Sequence, residues 1–219
     1  MAVEYQLKWL DDPGGAESRA IADLHCRLLP TSPLAALGRR FLERWYYRAL
    51  PRMGLVQVLV GLVDGRVAGF IAVTADADGF MRRAFRAAPL KLAAHLALAL
   101  LSDPRRMRAL REAAAISASR RAYSVGGGEL LSFAVDGPVR SPAFVRATGI
   151  RIASDLIVRA VQRLREQDVP RIRSLVDADN KAVRIMYGAL GWTLASASVA
   201  GWRTPQVEYE LDPRGQPPA

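Results

Sequence analysis

The chain has 219 residues, 51% of them hydrophobic, enough for one domain with a sizeable core. Its formal charge is +10, yet Lys stands only at positions 8, 91 and 181, so arginine carries the surplus in an alanine-rich, bacterial-like sequence of the kind a GC-rich coding bias produces. One cysteine, Cys26, and two distant histidines, His25 and His95, exclude a disulfide framework and give no metal-ligand spacing, so no metal is expected.

"MAVEYQLKWL" lacks the positive start and apolar core of a signal peptide. The longest nearly uncharged apolar run, "LAAHLALALL" (92–101), falls short of the roughly 20 residues a membrane span needs, so a cytoplasmic protein is expected. In "VEYQLKWL" (3–10), Val3, Tyr5, Leu7 and Trp9 alternate as a half-buried strand that "DDPGG" ends. "AESRAIADLHCRLL" (16–29) has helical spacing at Ile21, Leu24, Leu28 and Leu29. A second helix is predicted over 34–50, with Leu34, Leu37, Phe41, Trp45 and Tyr46 near one face. Residues 54–76 hold two β-rich runs around "DG", a strong hairpin signal.

Residues 77–122 then read as two or three helices broken at Pro89 and Pro104. Within 80–121, nine arginines and Lys91 face only Asp103 and Glu112, so +8 of the +10 lies in this one segment. Such a basic, apolar insertion fits a lid, a dimer face or an interfacial membrane helix, and its plainest reading is a helical hairpin with solvated arginines. "ELLSFAV" (129–135) is a strand, 136–149 a polar loop, and 151–167 a helix with Ile152, Leu156, Ile157, Ala160, Val161 and Leu164 in one stripe. "VPRIRSLV" (169–176) is a strand, Asn180 opens a short helix, and "WTLASASVA" and "TPQVEYEL" close as a strand pair before a disordered tail (213–219). The order describes one mixed α/β domain over 1–212, with an antiparallel start, a βαβ centre and a helical insertion between the third and fourth strands.

Two places suit chemistry. A strand ending in Phe133, Ala134 and Val135, a loop and a helix N-terminus suit an anionic cofactor, with Arg146 and Arg151 flanking the turn at Gly149. In "NKAVRIMYGALGW" (180–192), Asn180 and Tyr187 fall on one side of a helix about two turns apart, with Ile185 and Leu190 facing inward. Tyr187 is then either core filler with a wet edge or a residue whose hydroxyl is needed.

Together, the strand order and the Asn180-x6-Tyr187-x3-Gly191-Trp192 ending resemble the GNAT superfamily of N-acetyltransferases over the whole chain apart from 77–122. The opening helix pair resembles members from sugar and surface-polysaccharide gene clusters. The resemblance implies an acetyl-CoA-dependent N-acetyltransferase working by direct amine attack in a ternary complex, without metal. By that likeness, the backbone of Phe133, Ala134 and Val135 takes the pantetheine arm and Asn180 lies near the cofactor. The family's phosphate loop falls on "TGIRIA" (148–153), which keeps Gly149 and Ala153, brings in Ile152 and puts Arg151 where a glycine belongs. The alternative register, "RATGIR" (146–151), keeps Arg146 and Gly149. Tyr187 corresponds to the acid toward sulfur and Glu129 to a base acting through water, with Glu208, His25 and Glu43 as weaker bases. The acceptor is expected to be a small-molecule amine or amino sugar, and a homodimer and a peripheral membrane contact through the insertion are both compatible. Two other readings are a non-catalytic acyl-CoA-binding protein and a basic membrane-surface or nucleic-acid-binding module. Against nucleic acid, no recognition motif or aromatic platform is present.

Overall fold

The computed structural model describes residues 3–123, 127–199 and 204–215, with 116–123 followed by backbone alone. Seven strands form one sheet in the order β1-β2-β3-β4-β5-β7-β6, from β1 (Tyr5–Trp9), β2 (Gln57–Val63), β3 (Arg66–Thr74), β4 (Gly128–Val135), β5 (Ile172–Asp177), β6 (Thr193–Val199) and β7 (Gln206–Leu211). The β2–β3 hairpin turns on Asp64 and Gly65, both at positive φ, as the "DG" signal implies. All neighbours are antiparallel except β4 and β5, whose parallel ladder covers only Gly128–Leu130 against Ile172–Ser174. Beyond Leu130 the two strands diverge.

On one face lie α1 (Gly15–Leu28), the single turn α2 (Pro33–Ala36) and α3. The last is continuous through Arg39–Phe41, a π-helical stretch Leu42–Ala49 and a final turn Leu50–Arg52. The helix expected over 34–50 is therefore two, separated at Gly38. Trp45, Tyr46 and Tyr47 are all buried, although three successive residues do not share one narrow stripe of a helix. That is satisfied because α3 lies between the sheet and the insertion. Tyr47 packs edge-on to Phe70 of β3, while Trp45 lies 5.8 Å from the ring of His95.

Insertion helices α4 (Phe80–Ala87), α5 (Pro89–Ser102) and α6 (Arg106–Tyr123) break at Pro89 and Pro104, where the sequence places the breaks. They send Phe80, Ala84, Leu92 and Ala109 into the core beneath α1 and α3. The opposite face carries a second core around α8 (Ile152–Arg165), with α9 (Lys181–Ala189) covering the β5 side. A second element also departs from expectation. Residues 136–149 are not all loop, because Pro138–Arg140 forms a 3-10 turn and α7 (Pro142–Thr148) a two-turn helix. Ser141 caps α7 by accepting from the Phe144 N–H, and Pro142 occupies its first position. Residues 213–215 of the expected tail belong to a turn that starts at Asp212, while 216–219 lie outside the described residues.

Candidate active site

The divergence of β4 from β5 opens a cleft of about 140 Å³. A bulge sharpens it. Ala72 faces Ser132 and Val73 faces Leu130, so Leu131 is an extra residue on β4 with no partner on β3, and β5 has already turned away. The β5-facing edge of 131–135 thus keeps backbone groups outside the sheet ladder. Phe133 and Leu131 line the cleft; Ala134 and Val135 are buried to opposite sides of β4.

Tyr187 forms part of the cleft wall. Its ring is 1% exposed, stacked on Trp192 at 4.8 Å and set edge-on to Tyr209 at 5.5 Å. Its hydroxyl shares a 2.9 Å hydrogen bond with Ser174 Oγ on β5. Burial pushes the phenol up to about 12, only partly offset by Ser174, so it stays protonated at neutral pH. The Tyr187 hydroxyl is buried and hydrogen-bonded to Ser174 and not set at a wet edge. Asn180 caps α9 by accepting from the Val183 N–H at 3.2 Å, and both residues line the cleft. Ile185, expected to face inward, is 72% exposed, because it sits on the far side of α9 from the Tyr187–Val183 stripe.

Glu129, which lines the cleft, is 1% exposed, and its Oε2 accepts from Arg173 Nε at 3.1 Å across the parallel pair. Arg173 also reaches Asp78 at 3.4 Å. The sequence gives no sign of this pairing, which depends on strand register. Of the weaker base candidates, Glu208 on β7 is buried outside the cleft lining, and Glu43 pairs with Arg19 away from it.

His25 is wired to the cleft through the α1–α2 turn. Fully buried, it meets Tyr47 Oη through Nδ1 and Ser32 Oγ through Nε2 at 3.2 Å, and Ser32 lines the cleft. Tyr47 in turn hydrogen-bonds Ser132, another cleft residue. Burial lowers the imidazole to about 4, so it is neutral at pH 7. Sequence spacing alone does not bring these four residues together.

Ahead of α8, Gly149 ends α7 in the left-handed region at φ 72°, and Arg151 takes the N-cap position without a side-chain cap. The first intrahelical bond runs from Asp155 N–H to the Arg151 carbonyl, which leaves the Ile152, Ala153 and Ser154 N–H groups at an uncapped positive helix end. Ile152 is buried, Ala153 half-buried, and Arg146 and Arg151 point to solvent. This end lies beside the top of β4, since Ile152 and Val135 side chains converge on Gly69. Among the described residues no group of three or more His, Cys, Asp or Glu is placed to hold a metal.

No protein-family model matches the sequence, and no curated protein matches it. The fold does match solved structures. An N-acetyltransferase from Staphylococcus aureus Mu50 superposes with a TM-score of 0.56 at 14% identity, over 96% of this chain and 99% of that one. An aminoglycoside 6'-acetyltransferase type Ii gives 0.57 at 12%, over 97% and 99%. A putative acetyltransferase from Salmonella typhimurium, solved with its cofactor acetyl-CoA, gives 0.55 at 14%, over 99% and 98%. The seven-stranded sheet with its flanking helices is the GNAT acetyltransferase fold.

Proposed function

We propose that the chain is an acetyl-CoA-dependent N-acetyltransferase acting on the amine of a small molecule or amino sugar. The observation that carries this reading is the β4/β5 cleft, with the protonated Tyr187 hydroxyl in its wall and the uncapped N-terminus of α8 beside the end of β4. The residues present suit the cofactor. The free edge of 131–135 offers backbone hydrogen bonds to an extended arm, and the Ile152, Ala153 and Ser154 N–H groups offer donors to phosphate. Arg151 adds a charge-assisted contact there instead of closing the loop.

Acetyl-CoA supplies an acetyl thioester whose carbonyl carbon an amine attacks, forming C–N and breaking C–S. Tyr187 donates a hydrogen bond toward the position of the sulfur; a phenol held near 12 is a dependable donor but a weak acid, so its work is to stabilise negative charge there. The Leu131 bulge directs an unpaired backbone group at the cleft, where it can polarise the carbonyl. Glu129, held by Arg173, is the base that receives the amine proton through water. Ser32, which lines the cleft and is backed by neutral His25, orients the amine. The aminoglycoside enzyme of the same fold supports an amino-sugar acceptor.

Calorimetric titration of acetyl-CoA into the wild type, Tyr187→Phe and Arg151→Glu tests the reading. Binding should survive in Tyr187→Phe, weaken in Arg151→Glu, and be followed by amine-dependent thiol release that Tyr187→Phe slows by roughly 100-fold. No binding at millimolar acetyl-CoA, weaker than about −4 kcal/mol, would sink the assignment.

A further inference from the structure

A second pocket, of about 720 Å³, lies between α1, α3 and insertion helix α5 and shares no lining residue with the β4/β5 cleft. Its wall holds Arg19, Arg44, Arg48, Arg52, Lys91 and His95 against one carboxylate, Glu43. Arg19 is engaged by Glu43 at 3.5 Å and Arg52 by Asp12. Among the described residues, no carboxylate oxygen comes within 4.0 Å of Arg44, Arg48 or Lys91. Burial first, and then the nearby charge of Arg44, lowers His95 from its ordinary range, as expected where positive charge is dense.

Among the described residues, two that line the pocket also carry buried donors with no acceptor: Trp45 Nε1, on a side chain 1% exposed, and Arg48 Nε. Arginines on an open surface need no explanation because water solvates them. A buried N–H without an acceptor is different, since it loses its hydration and gains nothing in return. The uncompensated cations suit one kind of ligand, a compact group with several acceptor oxygens and more than one negative charge, and a turn of the flexible Arg48 side chain would bring its Nε to the same oxygens. Guanidinium forks match phosphate oxygens in pairs, and the volume exceeds what a single phosphate fills.

We propose that this pocket binds a phosphate or diphosphate group of a larger ligand, separately from the acetyl-transfer cleft. Two sources share that chemistry. One is a soluble phosphorylated molecule. The other is a lipid headgroup, which the surroundings also accommodate, because Leu90, Leu98 and Leu101 on α5 are 84%, 58% and 81% exposed and Phe85 on α4 is 61% exposed. Neither α4 nor α5 is long enough to span a bilayer, and they meet at a 99° bend, so the pair lies on a surface in the lipid case.

The test titrates sodium pyrophosphate into the full chain, with Arg44→Gln, Lys91→Gln and Arg151→Glu beside the wild type. Lys91→Gln alters an exposed side chain and leaves folding intact, so a folding defect in Arg44→Gln does not blunt the experiment. Pyrophosphate resembles the phosphates of coenzyme A and also enters the α8 loop, so the pocket's own binding is read in the Arg151→Glu background, where saturable one-to-one binding should persist. Adding Arg44→Gln or Lys91→Gln there should weaken it at least about tenfold, the factor that loss of a charge-assisted contact implies. Loss in Arg151→Glu with retention in the two pocket variants overturns the proposal while supporting the cofactor loop. Sedimentation with phosphatidylcholine vesicles, with and without phosphatidylglycerol, separates the sources. Pull-down by the anionic vesicles alone, displaced by pyrophosphate and reduced in Lys91→Gln, assigns a headgroup; pyrophosphate binding without pull-down assigns a soluble ligand. Neither saturable pyrophosphate binding nor pocket-dependent pull-down overturns the proposal in both forms.

Discussion

At pH 7 His25 is neutral inside the protein, and acid turns that neutrality into a cost. Burial lowers it from 6.5 to about 4. Between those values the unfolded chain binds a proton that the folded chain refuses, so stability is complete above pH 6.5 and is lost as pH falls toward 4. The shift predicts about 2 kcal/mol less stability at pH 5 than at pH 7 from this residue, readable as a lower urea midpoint. His25→Gln, which keeps polar atoms between Tyr47 and Ser32, should flatten the loss between pH 7 and pH 5. Asp136, held below its ordinary range first by its hydrogen bond from Arg27, adds a further loss in the same direction at lower pH. An unchanged slope in His25→Gln would mean that other groups set the acid limit. The sequence gives His25 as a helix residue beside Cys26, and nothing in its spacing announces Tyr47 or Ser32, 22 and 7 positions away. Tyr187 is different: its distance from Asn180 and from Gly191-Trp192 is local, so its side of the helix is legible.

Among the elements, periodicity reads well and register does not. The alternation in β1, the "DG" hairpin and the apolar stripe of α8 all stand where the sequence puts them, because each is decided by residues within a few positions. The bulge at Leu131, the short β4/β5 ladder and the Glu129–Arg173 pair come from how distant strands meet, which no local pattern contains. Helix α7 had a local signal, Ser141-Pro142 at its start and Gly149 at its end, that the surrounding polar residues hide. The seat of α8 depends on a missing side chain. A Cβ on Gly69 would stand 3.2 Å from Ile152 Cγ2 and from Leu156 Cδ1, and 3.1 Å from Val135 Cγ2. All three side chains would have to give by a few tenths of an ångström in a close-packed core, and because two of them belong to α8 the displacement presses on that helix. Gly69→Ala should cost about 1–3 kcal/mol by overpacking. It should also weaken acetyl-CoA binding, because the α8 N-terminus moves away from β4. A destabilised variant with full cofactor affinity would separate the helix seat from the site.

For the whole molecule, the question is whether the insertion is an attachment or part of the folding unit. Its path favours attachment: it leaves the sheet after Thr74 and returns at Glu129, which is the cross-strand neighbour of Thr74. Its packing favours integration. Phe80 (5% exposed), Ala84, Leu92 and Ala109 belong to the same buried cluster as Trp45, Tyr47 and Phe70, so α3 is walled on one side by the sheet and on the other by the insertion. Removing the insertion would strip cover from Trp45 and open the basic pocket, because α5 supplies Lys91 and His95 to its wall. Phe80→Ala tests the two cases. A buried phenylalanine truncated to alanine costs about 3–5 kcal/mol. If the insertion and the sheet fold as one unit, that loss moves a single urea transition, seen equally by tryptophan fluorescence and by far-UV circular dichroism. If the insertion folds apart, Phe80→Ala yields an early partial transition while the β4/β5 cleft retains acetyl-CoA binding at denaturant concentrations beyond it. The shared cluster predicts the single transition, and with it a cleft whose shape depends on the insertion through α3, Tyr47 and the His25–Ser32 pair that Tyr47 holds in place.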